Sequence, residues 1–256
     1  MVASGVVLVQ AGAQGPVAQT TGPLADARRE LAEKHFVQAK EMFEAYEKTH
    51  PGNIDARMGI ADVDLALKRY ETAETEYRQI VWEKPDQWLA HKNLVVIEAA
   101  LGRWEEFDRE REFLRGARAR GAEGISARES DLIDIFDVVG KPGSPAQHWI
   151  VREYYEPAGR SLTRYNFERF STDGRVEEYI SLESEKAAQE AVAKGDVLQS
   201  EEAKAAEAIT DFTLDWYTGA AHGVIKSYPS GEPSYEDVRK DVMRWVRAHP
   251  AGVTKR

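Results

Sequence analysis

The sequence predicts an α+β protein: an N-terminal superhelix of helix-turn-helix repeats, followed by a C-terminal antiparallel β-sheet domain with packed helices. Two observations carry this reading. Small and apolar residues recur at an offset of 34 residues over residues 20–121, a period filled by one helical hairpin. After residue 147 the apolar period falls to two, the alternation of strands with one buried face. Composition allows both parts, since 256 residues that are 42% hydrophobic can bury real cores.

In "RYETAETEY", Arg69 to Tyr77, the residues Tyr70, Ala73 and Tyr77 stand at steps of three and four on one helix stripe. A small residue between two rings marks a place where another helix comes close. Set over "HFVQAKEMF", the anchors coincide: Phe36 with Tyr70, Ala39 with Ala73 and Phe43 with Tyr77, each 34 residues apart. Ala27 likewise falls on Ala61, Leu31 on Leu65 and Pro51 on Pro85. A third copy keeps Trp88, Leu94, Gly102 and Trp104 at the same offset. It departs at Phe107, where a small residue is expected, and no Pro closes its second helix.

This register resembles the tetratricopeptide repeat. The resemblance implies three stacked helical hairpins sharing one core, with a concave surface that binds a protein or peptide. It implies repeat packing by Ala27, Leu31, Phe36, Ala39, Phe43, Ala61, Leu65, Tyr70, Ala73, Tyr77, Leu94 and Trp104. Partner-binding residues then lie between the anchors on the first helix of each pair, and Arg28, Asp62, Lys92 and Val96 are the candidates. The clamp of Lys and Asn side chains that some family members use for a C-terminal carboxylate is not evident, and Lys92 and Asn93 read as solvated helix residues.

Residues 125–140 then read as a helix capping the array, with Ser126 and Glu129 spaced as a capping box and Leu132, Ile133, Phe136 and Val139 as its stripe. The loop "GKPGSPAQ" breaks regular structure. Residues 147–250 form the sheet domain. "HWIVREYY", "LTRYNFERF" and "RVEEYISLES" are strands, and Asp173 and Gly174 supply a two-residue hairpin turn. A polar helix is expected around Glu201 to Ala208, then a strand with Phe212, Leu214 and Trp216 on one face. An amphipathic helix with Tyr235, Val238, Val242, Trp245 and Val246 as its stripe and Ser234 as its cap covers the sheet.

Residues 1–19 are a degenerate signal-like or disordered segment. An apolar run from Val6 to Val9 precedes Ala11, Gly12 and Ala13, but no basic residue leads it. As a signal peptide it would make the protein secreted or periplasmic; otherwise the protein is cytoplasmic. The run is too short to span a membrane. The net charge of −10 is spread over both halves, 17 basic against 21 acidic residues in 1–125 and 17 against 23 beyond. That balance argues against nucleic acid as a partner.

Little in the sequence points to chemistry. There is no Cys, so a thiolate zinc site and a Cys nucleophile are excluded. HExxH, GxSxG and a phosphate-binding Gly loop are also missing. His222, flanked by Gly219 and Gly223, is the best lone candidate, and its simpler reading is a residue at a turn. Glu153 and Glu178 fall on an apolar strand face as a conceivable acid and base, while His148 with His222 gives too few ligands for a metal. No cofactor and no metal are expected. The sequence thus favours a non-enzymatic interaction or assembly scaffold. The alternative is a C-terminal module that binds a peptide or carbohydrate, or hydrolyses one, with the repeats as a docking platform; the sheet's many aromatic residues motivate it.

Overall fold

A computed structural model describes residues 22–125, 130–139, 143, 145–155, 162–171, 175–184, 212–218, 221–229 and 231–249. The chain divides into two compact units, with the boundary between Leu114 and Arg115. The N-terminal unit contains α1 (Pro23–Ala32), α2 (Phe36–Thr49), α3 (Ile54–Ala66), α4 (Tyr70–Glu83), α5 (Trp88–Leu101) and most of α6 (Trp104–Ala119).

Each hairpin turns in the same way. Lys34, Lys68 and Gly102 have φ of 67°, 58° and 71°, at positions 34 residues apart. In each turn the next amide reaches back across the left-handed residue: His35 to Glu30 O, Arg69 to Asp64 O and Arg103 to Glu98 O, at 2.8–2.9 Å. This is the Schellman closure, in which a left-handed residue lets the chain satisfy the last free carbonyls of a helix. Only the third turn uses Gly. Lys68→Gly should therefore raise stability by about 0.5–1 kcal/mol, because a Cβ in the left-handed region is strained; an unchanged thermal midpoint would show that this turn carries no strain.

The small residues sit where helices cross. Ala27, Ala39, Phe43 and Val63 form one core cluster across α1, α2 and α3, with Leu31 and Phe36 packed against it. Ala61, Ala73, Tyr77, Ile80, Ala90, Leu94 and Ile97 form the next across α3, α4 and α5, with Leu65 and Tyr70 at its margin. Trp104 is half-buried and meets Phe107 edge-on at 5.7 Å. Ala73→Leu adds three carbons to a site with no free surface, and overpacking of this kind costs about 1–3 kcal/mol. The exposed neighbour Thr72→Leu should change stability by less than about 0.5 kcal/mol. Equal denaturation midpoints for the two variants would mean that Ala73 is not at a crossing.

The C-terminal unit contains β1 (Asp131–Val138), β2 (Gln147–Tyr155), β3 (Leu162–Phe170), β4 (Val176–Ser184), β5 (Phe212–Thr218), β6 (Ala221–Tyr228) and α7 (Tyr235–Ala248). The strands form one antiparallel sheet in sequence order. In place of the capping helix expected at 125–140, residues 131–138 form the edge strand β1, with Ile135 opposite Ile150 and Phe136 opposite Trp149. The physical reason is a bulge between Leu132 and Asp134. It adds one residue to the strand and shifts the phase, so the buried positions run Asp131, Ile133, then Asp134, Phe136, Val138. Ile133 and Phe136 thereby stand three apart and imitate a helical step. Val139, counted in that stripe, is 59% exposed. Ser126 and Glu129 lie outside the described residues, as do the helix expected around Glu201 to Ala208, the Asp173–Gly174 turn and residues 1–19.

The buried face of the sheet is apolar where strands align. Val151, Phe167 and Ile180 stand opposite one another on β2, β3 and β4 and have no free surface. Across this face lies α7, whose Tyr235, Val238, Val242 and Val246 are buried. Tyr235 stacks on Phe167 at 6.2 Å and Trp245 meets Trp216 at 5.0 Å. Ser234 caps the helix by accepting from the Asp237 amide at 3.2 Å. Ser234→Ala should cost about 1 kcal/mol, the usual value of such a cap; a midpoint unchanged in urea would show the cap to be idle.

Candidate functional site

The candidate residues of the repeat groove are on the first helices, α1, α3 and α5. Arg28 on α1 is exposed and donates to Asp55 Oδ1 at 3.2 Å. Asp62 on α3 is half-buried, and two neighbouring helices hold it. Tyr77 OH of α4 donates to Asp62 Oδ1 at 2.5 Å, and Asn93 Nδ2 of α5 donates to the same oxygen at 3.1 Å and to the Tyr77 oxygen at 2.8 Å. Burial pushes the Asp62 carboxyl up to about 6, against the pull of the Tyr77 hydrogen bond, the Arg28 charge and the Asn93 amide. Burial and the Asp62 charge raise the Tyr77 phenol well above its ordinary value, so it remains a donor.

Two expectations for this face change. Val96 is buried, so it is not available to a partner, and Asn93 is buried rather than solvated. The reason is the composition of α5, "WLAHKNLVVIEAAL", in which Val95, Val96, Ile97, Glu98 and Ala99 are all buried in succession. Five consecutive buried positions span more than one full turn, so this stretch of the helix is covered on all sides. Lys92, on the same helix, is half-buried.

A second polar feature went unseen in the sequence. In each hairpin an acidic residue near the end of the first helix reaches a basic residue five positions on, across the turn. His35 Nδ1 lies 2.8 Å from Glu30 Oε2, Arg69 Nη1 lies 3.3 Å from Asp64 Oδ1, and Arg103 Nη1 lies 3.9 Å from Glu98 Oε2. The acids also tie repeats together: Lys40 of α2 donates to Asp64 at 2.7 Å, and Arg78 of α4 donates to Glu98. Burial, then Glu74, pushes the Glu98 carboxyl up to about 6, opposed by Arg78 and Arg103. Around this network, a cavity of about 680 Å³ opens between α4 and α6, lined among others by Glu74, Arg78, His91, Arg103, Glu110 and Phe113. His91 Nδ1 is 2.8 Å from Glu110 Oε2, and the His91 and Phe113 rings are 4.5 Å apart. Acid and base at a constant offset of 34 residues were the available signal.

The sheet candidates do not converge. Glu153 is buried and accepts from Arg115 at 2.6 Å, while Glu178 accepts from Arg169 at 2.9 Å and from Trp216. Glu153 stands opposite Tyr165, and Tyr165 opposite Leu182, four residues along β4 from Glu178. That is about 13 Å of strand, beyond the reach of a shared substrate bond. His148 on β2 is 2.5 Å from Asp137 Oδ1, whereas His222 is on β6, four strands away.

His222 instead ends an aromatic row on the face away from α7. Tyr179 and Tyr217 stack at 4.6 Å, and Tyr217 and His222 at 6.1 Å. Next to the row, burial and the Glu183 charge push the Asp215 carboxyl up to about 6, and the His222 charge opposes them. For a metal, Glu30, Glu33 and His35 offer three ligand atoms within 4.8 Å of one another, with Glu33 and His35 exposed. The Glu30–His35 contact already belongs to the repeating acid–base pairs.

Stacked helical hairpins with small residues at their crossings, and polar side chains collected on the first helices, define a helical-repeat protein of the kind that binds other proteins. Residues 30–96 match the family described as tetratricopeptide repeat. With the six consecutive helices α1–α6, that match makes the N-terminal half an array of tetratricopeptide-like repeats, a class that serves protein–protein interaction. No curated protein and no solved structure matches the chain. Among the described residues no helix is long and apolar enough to cross a membrane.

Proposed function

We propose that the protein is a non-enzymatic assembly scaffold that holds a protein partner in the groove of its repeats, through Arg28, Asp62 and Lys92. The observation that carries this reading is the convergence of α3, α4 and α5 on Asp62. A half-buried carboxylate oriented by Tyr77 and Asn93 is a recognition group held ready for a ligand. Its test is affinity capture on the full chain, comparing the native sequence with Arg28→Ala/Asp62→Asn/Lys92→Ala. Loss of a cross-linked partner at unchanged melting temperature is expected. The same partner captured by both would remove the groove from the function.

A second reading, a ligand-binding sheet, is favoured by the row of Tyr179, Tyr217 and His222 beside Asp215. Asp215→Asn should leave capture by the repeats unchanged and alter only what the sheet binds. The missing catalytic motifs support binding over turnover for this face as well.

A further inference from the structure

We propose that the groove accepts a basic segment of its partner, with a lysine or arginine side chain seated on Asp62. This deepens the groove reading and rests on it. The geometry is specific to one oxygen. Asp62 Oδ1 accepts from both Tyr77 and Asn93, and among the described residues no hydrogen bond is made to Oδ2. The carboxylate is thus fixed by its inner oxygen, and its other oxygen is left to accept from an incoming N–H.

Arg28 does not close the site. Its guanidinium donates to Asp55 at 3.2 Å, so Asp62 has the attraction of a nearby cation without a bonded one. The Asn93 amide, which could otherwise grip an acidic ligand, is engaged by Asp62 and Tyr77. The surroundings have the matching sign: residues 22–114 carry 14 Lys and Arg against 20 Asp and Glu, a net charge of −6. A charge-assisted hydrogen bond to a half-buried carboxylate is among the stronger polar contacts, and an acidic surface speeds the approach of a basic chain.

The same site makes binding depend on pH. Arg28 faces Asp62 from α1, Tyr77 from α4 and Asn93 from α5. With its carboxyl raised to about 6, Asp62 is ionised at neutral pH and takes up a proton as the pH falls through about 6. A cation bound to it is then released.

The probes are a fluorescein-labelled decapeptide of alternating lysine and alanine and its glutamate–alanine counterpart, followed by anisotropy with the full chain at low salt. The lysine peptide should bind, and Asp62→Asn should weaken it about tenfold or more, the scale of one charge-assisted hydrogen bond. Glu44→Gln, an exposed carboxylate on α2, should weaken it less than about threefold. The amide introduced by Asp62→Asn keeps an oxygen for Tyr77 and Asn93 to donate to, and a thermal melt checks that the variant folds. The wild-type pH profile is independent of that variant, and affinity should fall as the pH drops through about 6. Equal weakening by both substitutions, or a flat wild-type profile, would overturn the proposal in favour of diffuse surface charge. Binding of the glutamate peptide, lost in Arg28→Ala or Lys92→Ala, would leave the groove reading standing and overturn the basic partner. If no substitution affects either peptide, both readings fall.

Discussion

Gly59→Ala should destabilise the protein by about 1–3 kcal/mol, although the same change in an ordinary helix interior stabilises by about 1 kcal/mol. Gly59 is buried within α3, and a Cβ built on it would lie 2.3 Å from Phe43 Cε1 and 2.5 Å from Cδ1 and Cζ. Phe43 has no free surface and is packed with Ala27, Ala39 and Val63. The ring therefore has nowhere to retreat, and α2 and α3 must separate to admit one methyl group. Urea denaturation of Gly59→Ala, Phe43→Leu and the double variant checks this. The double variant should be more stable than the sum of the single losses, since the smaller side chain makes room for the methyl. A higher midpoint for Gly59→Ala alone would show that propensity outweighs packing and that the helices do not meet there.

Asp134→Ala should cost about 3–5 kcal/mol, the range for breaking a buried ion pair by removing one partner. Asp134 Oδ2 accepts from Arg239 Nε at 2.5 Å and from Tyr235 OH at 2.8 Å, joining β1 to α7. The guanidinium also lies over the Phe136 ring at 4.9 Å. Burial raises the Asp134 carboxyl pKa despite Arg239, Tyr235 and the Ile135 amide. The site is thus costly to build and costly to break. Removing both charges with Asp134→Leu/Arg239→Met should recover much of the loss, because no uncompensated charge is then left inside. Tyr235→Phe should cost less, about 1.5–3 kcal/mol, the range for one hydrogen bond to a charged group. A loss below about 1 kcal/mol for Asp134→Ala would mean that α7 is held on the sheet by its apolar stripe alone.

The two expected losses come from features of opposite visibility. Gly59 belongs to a run, "MGIADVDLA", that aligns by the offset of 34 residues with the copy before it. Asp134 lies in the stretch whose local pattern points to a helix.

The sequence by itself determined the repeat array: its period, its small residues at the crossings, the hairpin turns and the amphipathic α7 with its Ser234 cap. These rest on contacts within one hairpin or between adjacent hairpins, so the spacing of side chains along the chain is enough to specify them. Tertiary structure decided three other matters. The bulge in β1 shifted the burial phase so that a strand looked like a helix. The covering of α5 removed Val96 and Asn93 from the solvated surface. The meeting of Asp62, Tyr77 and Asn93, which lie 15, 16 and 31 residues apart, placed a carboxylate between three helices. A polar contact of this kind depends on the angle at which whole helices cross, and side-chain spacing along a single helix does not encode that angle.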